Sequence, residues 1–201
     1  MSNATHWDRI WKSRPHEPPN SFAVRAYKLI KAKNLTTLLD IGCGAGRDAL
    51  YFSRKGLAVT ALDRSASGIE KLKSGNPRIH CIRGDIRTTK LKNDSFDVVY
   101  AHLSLHYFDD RTTARIFQKL YRALKPKGIL FVKCKSTDDA LYGKGVRVGQ
   151  HMYRKDHIRH FFTRTYMREA LAPFHIVSIR KTSSVYHQSH KSAFIEAVAT
   201  K

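Results

Sequence analysis

Leu38-Leu39-Asp40-Ile41-Gly42-Cys43-Gly44-Ala45-Gly46-Arg47-Asp48 is the stretch on which the reading of this chain turns. An apolar run ends in an acid, passes through three alternating glycines, and opens into a segment, Asp48 to Lys55, with the pattern of a helix. That is a strand, a tight turn and a helix N-terminus. Glycine tolerates positive φ at low cost and lets a ligand approach the backbone closely. Exposed N–H groups and the dipole at the start of the helix favour a negatively charged or carboxylate-bearing ligand.

Glycine spacing narrows the choice of ligand. A dinucleotide fingerprint is G-x-G-x-x-G, whereas here the pattern is G-x-G-x-G, and Arg47 stands where the fingerprint wants Gly or Ala. No Gly-Lys-Ser/Thr follows, so a phosphate-binding P-loop fails as well. The stretch resembles the first motif of class I S-adenosylmethionine-dependent methyltransferases, acid-x-G-x-G-x-G. Within that class the chain looks similar to the small-molecule group that includes tellurite-resistance methyltransferases.

Two further acids extend the pattern. Gly56-Leu57-Ala58-Val59-Thr60-Ala61-Leu62-Asp63 is a nearly continuous apolar run ending in an acid, as a buried parallel strand should be. Asp63 lies 23 positions after Asp40, the distance at which an acid accepts hydrogen bonds from ribose hydroxyls. At a ligand-facing strand end it is expected to matter greatly for binding and little for folding. Ser65 to Lys73 predicts a helix, and Ile79-His80-Cys81-Ile82-Arg83 a third strand with Gly84-Asp85-Ile86 at its end. Three acids at three successive strand ends are much harder to obtain by accident than one glycine turn.

The resemblance implies a division of labour. The turn (Gly42, Cys43, Gly44) would offer N–H groups to the carboxylate of S-adenosyl-L-methionine, and Asp40 its charge to the ammonium. Asp63, with Arg64 beside it, would take the ribose diol. Asp85 would meet the adenine amine, Ile86 would pack beside the base, and His102 would line the cofactor through its backbone. The fourth strand, Ser95 to His102, and the following Leu103-Ser104-Leu105-His106-Tyr107-Phe108 resemble the family's passage between cofactor and acceptor.

Histidines exchange protons near neutrality, so His106 is the candidate general base, set against a packing role. Such a base is needed only where the acceptor carries a proton. No pair of histidines has metal-ligand spacing, and no metal is predicted.

Outside this core the chain reads as follows. Ser2-Asn3-Ala4 has the look of an expression remnant and carries no weight. Thr5 to Arg14 predicts an amphipathic helix with Trp7, Ile10 and Trp11 on one face, ended by Pro15, Pro18 and Pro19. Asn20 is the expected N-cap of a second helix reaching about Lys33. Thr112 to Leu124 is amphipathic, and Leu124-Lys125-Pro126-Lys127-Gly128 resembles the family's turn into strand five, with Lys127 in place of a glycine.

Residues 135–156 show no regular pattern and interleave glycines with Lys144, Arg147, Arg154 and Lys155. This loop is either a lid whose cations attract an anionic acceptor or a surface excursion. Thr163 caps a last helix, and Phe174 to Lys181 and Ala193 to Ala199 predict two closing strands.

The elements spell a doubly wound α/β fold with helices on both faces of a seven-stranded, mostly parallel sheet. The resemblance implies the order 3-2-1-4-5-7-6 with the last strand antiparallel. One domain over 1–201 is expected, with an N-terminal helical segment (5–33), a cofactor-binding core (36–134), and a basic loop with closing elements (135–201).

Composition bounds the partners. Lys and Arg number 37 against 16 Asp and Glu, a formal charge of +21, which raises nucleic acid as an alternative partner. The basic residues are scattered, however, and no RNA-binding motif is present. Cys43, Cys81 and Cys134 are isolated, which favours reduced thiols and a cytoplasmic setting. No membrane span is found. The reading is a methyltransferase acting on a small, possibly anionic, molecule, as a monomer or weak dimer. The alternative is an RNA-binding or RNA-modifying protein on the same scaffold.

Overall fold

The computed structural model describes residues 3–13, 15, 17–186 and 190–201. Ser2 of the suspected remnant and Arg14, the expected last residue of the first helix, lie outside the described residues. Helix α1 (Asn3–Ser13) and helix α2 (Ser21–Ala32) precede the sheet. Asn20 caps α2 as expected, its side chain accepting from the N–H groups of Phe22 and Ala23, at 2.8 and 3.1 Å.

Strands β1 (Thr37–Ile41), β2 (Ala58–Asp63) and β3 (His80–Arg83) alternate with helices α3 (Arg47–Arg54) and α4 (Ala66–Gly75). Strand β4 (Phe96–His102), helix α5 (Asp110–Ala123) and strand β5 (Leu124–Lys135) continue the winding. After an insertion come helix α6 (Arg164–Ala170) and two long closing strands, His175–Tyr186 and His190–Thr200. Numbering the insertion's three strands β6 (Val146–Gly149), β7 (Met152–Arg154) and β8 (Ile158–His160) makes the closing pair β9 and β10.

The main sheet runs β3-β2-β1-β4-β5-β10-β9. Counted within that sheet this is the expected 3-2-1-4-5-7-6, and β10 lies antiparallel to both neighbours. Its two faces pack separate cores. One gathers Leu39, Val99, Phe117 and Phe162; the other Ile30, Leu38, Phe52 and Tyr100. Adjacent residues of one strand point to opposite faces, so Leu38 and Leu39 fall in different cores.

Residues 135–156 depart from expectation. They contain β6 and β7, which with β8 form a small antiparallel sheet. These strands are three or four residues long, and β6 is solvent-exposed along most of its length. Strands this short hold too few residues to show the alternation of apolar and polar residues from which a strand is read. No helix among the described residues is long and apolar enough to cross a membrane.

Candidate active site

Parallel strands place their carboxyl ends on one edge of the sheet, and a cavity of about 710 Å³ opens there. That volume falls in the range of small-molecule sites, about 300–1,000 Å³. Asp40, Gly42, Cys43, Asp63, Arg64, Asp85, Ile86 and His102 all line it, brought together from the ends of four strands. Gly44 and His106 do not line it.

The glycine turn is built by steric necessity. Gly42, Gly44 and Gly46 have φ of 71°, 57° and 84°. A Cβ on Gly44 would lie 2.4 Å from the Trp11 ring, and one on Gly46 would lie 2.2 Å from Leu72. The first glycine contact brings α1 down over the turn, and the second seats α4 behind it. No side chain caps α3.

The amides of the turn are used differently from the expectation. Gly42 and Cys43 donate to the carbonyl of Leu62 at 2.7 and 3.2 Å, and Gly46 donates to that of Cys43 at 2.9 Å. Gly44 donates to the Asp63 carboxylate at 2.8 Å. Three of these N–H groups therefore tie the turn to β2 and the fourth closes the turn on itself, so none of the four is open to a ligand carboxylate.

Asp63 also accepts from the N–H of Ser65 at 2.8 Å, through its other oxygen. Burial raises its pKa, and these N–H groups partly offset the rise. The carboxylate thus bridges the glycine turn to the start of α4, which contradicts the expectation that it matters little to the fold.

Asp40 is the opposite case. Its carboxylate is 3 % exposed, and among the described residues no donor reaches it. Burial raises its pKa well above the usual carboxylate range, Asp48 and Asp63 raise it further, and the nearby Arg47 offsets only part of the rise. A buried acid left without a partner on a cavity wall is a place for a cation.

Asp85 is already engaged. Arg87 grips it through a guanidinium fork at 2.6–3.1 Å, and Arg64 stands 3.8 Å away. Burial raises its pKa, but the Arg87 contacts outweigh this and hold it below the ordinary value.

Helix α1 roofs this end. The Asp8 carboxylate accepts from Ser65 Oγ at 2.7 Å and from the Ser67 N–H at 3.2 Å. Ser67 Oγ donates to the Asp8 carbonyl at 2.8 Å. Trp7 and Trp11 line the cavity beneath. Asp8 was missed in the sequence, although it sits three residues before Trp11, on a neighbouring part of the same helix face.

A second group unread in the sequence closes the other side. Buried Asp48 accepts from the Asn20 N–H and from Tyr100 Oη, each at 3.1 Å, and from the Asn20 side chain. Arg47 is held by Glu17 at 2.8 Å and Asp48 at 3.3 Å, and its Nη2 lies 3.4 Å from His102 Nδ1. Burial, then Arg47 and Lys133, keep His102 neutral well below its usual pKa. Beyond it, Lys133 pairs with Glu196 at 2.9 Å and Lys135 with Asp139 at 2.6 Å, and all but Glu196 line the cavity.

His106 lies behind the wall. It is fully buried, neither ring nitrogen has a hydrogen-bond partner among the described residues, and burial keeps it neutral. Its carbonyl accepts from the His160 N–H at 2.9 Å. The residues that the same turn sends into the cavity are Tyr107 and Phe108. Lys144, Arg147, Arg154 and Lys155 are exposed on or beside the β6–β8 sheet, and none lines the cavity. Among the described residues, no three His, Cys, Asp or Glu side chains gather to hold a metal ion.

A family model described as a methyltransferase domain matches residues 38–128, from β1 into the turn of β5. Over these residues the chain is similar to a methyltransferase domain. The matched span covers the glycine turn and the three strand-end acids. Over 101 residues the chain is 34% identical to a malonyl-[acyl-carrier protein] O-methyltransferase of Enterobacter lignolyticus, half of this chain and 39% of that one. It spans about two fifths of the length of the first curated relatives it matches.

Solved methyltransferases share the fold at lower identity. An S-adenosylmethionine-dependent methyltransferase from Methanosarcina mazei superposes with a TM-score of 0.73 at 19% identity, covering 82% of this chain and 92% of that one. TehB from Haemophilus influenzae gives 0.71 at 17% identity, covering 90% of this chain and 62% of its own. The chain therefore has the class I methyltransferase fold.

Proposed function

We propose that the protein transfers a methyl group from S-adenosylmethionine to a small-molecule acceptor by in-line displacement. The observation that carries this reading is Asp40, an unpartnered buried carboxylate in a cavity ringed by the acids of three strand ends. A negatively charged pocket of this kind suits a ligand bearing ammonium and sulfonium charges. When bound, the cofactor supplies a methyl group on a positively charged sulfur, an already activated donor.

Asp40 would face the cofactor's ammonium. With the N–H groups of Gly42, Cys43, Gly44 and Gly46 committed elsewhere, Arg47 is the cavity-lining cation at the start of α3 to meet its carboxylate. Asp63 would receive the ribose hydroxyls and Asp85 the adenine amine, while Ile86 packs beside the base. Trp7 and Trp11 close over this end and exclude water, and the wall from His102 to Lys135 aligns the acceptor's nucleophilic atom. His102 accepts from Arg47 at Nδ1, so its neutral ring carries its proton on Nε2 and orients ligands as a donor. The relatives include a malonyl-[acyl-carrier protein] O-methyltransferase, which supports an acyl or carboxylic acceptor class. The nucleic-acid alternative gains no support from any of the relatives found.

Thermal unfolding with and without ligand tests the proposal. S-adenosylmethionine at about a hundredfold over its dissociation constant stabilises the fold by about 2.7 kcal/mol. For a chain of this size that is about 5–10 °C in melting temperature. NAD and ATP should shift it far less. A shift with NAD, and none with S-adenosylmethionine or S-adenosylhomocysteine, would overturn the reading.

A further inference from the structure

Beyond His102, the cavity wall is made by the ends of β5 and β10, and its chemistry differs from that of the acidic end. In the antiparallel register Lys133 stands opposite Glu196, and Lys135 opposite Phe194. On its other side Lys133 stands beside His102 in the parallel register with β4. Residues two apart on a strand share a face, so both lysines project together.

Their ammonium groups converge on one ring. Lys133 Nζ lies 4.2 Å from the Phe194 centroid, and Lys135 Nζ lies 5.3 Å from it. The two side chains are only 11 % and 15 % exposed, and both line the cavity.

Among the described residues neither ammonium is saturated. Each has three donors, and each meets one carboxylate: Glu196 for Lys133, Asp139 for Lys135. Those acids are shared. Glu196 also pairs with Arg25 at 2.6 Å, and Asp139 accepts from the N–H groups of Ala193 and Leu141. Of these groups only Lys133, Lys135 and Asp139 line the cavity, with Glu196 and Arg25 paired behind it, so its surface here carries one uncompensated positive charge. Partly buried lysines are poor stabilisers, because desolvation takes back most of the pairing energy. Their placement is better understood through what they bind.

We infer that Lys133 and Lys135 form an anion subsite at the acceptor end of the cavity, and that the methyl acceptor carries a single carboxylate held there against Phe194. The inference rests on the methyltransferase reading of the cavity and names the acceptor class for it. One excess charge matches a monocarboxylate. The Phe194 ring, with Leu103 and Leu141 also on the wall, suits an apolar body attached to it. The exposed cations of the β6–β8 sheet take no part.

The test is calorimetric titration with benzoate and its neutral isostere benzamide, on protein saturated with S-adenosylhomocysteine. Wild-type protein is expected to bind benzoate at least tenfold more tightly than benzamide. Lys133→Met and Lys135→Met should each weaken benzoate at least tenfold and leave benzamide unchanged. Lys133→Arg, which keeps the charge and the pairing to Glu196, should recover most of the affinity and guards against a variant that fails to fold.

S-adenosylhomocysteine affinity should stay within twofold throughout. Equal affinity for benzoate and benzamide, or benzoate binding unchanged in the methionine variants, would overturn the subsite. Failure of wild-type protein to bind S-adenosylhomocysteine would instead overturn the methyltransferase reading beneath it.

Discussion

Asp63→Ala is the substitution that separates the two roles of a strand-end acid. The carboxylate is 8 % exposed and accepts one N–H on each oxygen, Gly44 on one and Ser65 on the other, both at 2.8 Å. Hydrogen bonds to a charged acceptor contribute about 1.5–3 kcal/mol each. Removing the side chain also relieves the cost of burying a carboxylate, so the net loss is expected at about 2–4 kcal/mol. For a chain of this length that lowers the melting temperature by roughly 6–12 °C.

Asp63→Asn sharpens the argument. An amide has one oxygen and one NH₂, so it can accept from Gly44 or from Ser65 while turning a donor toward the other donor. It should therefore cost the fold at least about 1 kcal/mol despite its matching shape. Urea unfolding followed by circular dichroism measures both variants, and calorimetry on the folded fraction measures cofactor affinity, expected to fall at least tenfold. If Asp63→Asn unfolds within about 0.5 kcal/mol of wild type, the bridge between turn and α4 is not what holds this carboxylate.

Other expectations follow from the same contacts. Gly46→Ala places a methyl 2.2 Å from Leu72 at a φ of +84° and should cost about 2–4 kcal/mol in urea unfolding; a loss under about 0.5 kcal/mol would refute the packing argument. His157 is buried against His6, Trp7 and Tyr107, and burial, Arg159 and His6 lower its pKa to about 4. The unfolded chain then binds the extra proton between about pH 6.5 and that native value, so stability falls with acid by about 1.4 kcal/mol per pH unit from this residue. Asp40, whose pKa is raised, acts in the opposite direction, so the effect is read as the difference between wild type and His157→Leu; parallel pH profiles would exclude it. Arg147→Ala with Arg154→Ala should change neither cofactor affinity nor acceptor turnover by more than twofold, and a tenfold loss of turnover would mean that β6 folds over the cavity.

What the sequence made legible has a common character. Asp40 and Asp63 stand at the ends of nearly continuous apolar strands, Asp85 follows the short third strand by two residues, and the whole constellation lies within 46 consecutive residues. Strand order and the antiparallel β10 follow once that unit is placed in its fold class. The misreadings arise where direction matters more than position. His106 follows the fourth strand as a base would, but the chain turns at Leu103, whose φ is +57°, and sends Tyr107 and Phe108 into the cavity with His106 behind them. Likewise, a glycine turn signals exposed amides only until their partners are counted, and Leu62, Cys43 and Asp63 take them.

The acceptor end was opaque for a further reason. The ion pair behind it, Arg25 and Glu196, stands 171 positions apart, and Lys133 joins them from a third element. In the sequence each is one more charge on a chain of 37 basic residues. Only the antiparallel insertion of β10 beside β5 brings Glu196 opposite Lys133 and sets Phe194 against both lysines. The proposed cofactor end is made by the first four strands and the helix over them, whereas the proposed acceptor end is made by closing the sheet. Homologous methyltransferase domains can therefore keep the first while the second changes with any substitution along β5, β10 or α2.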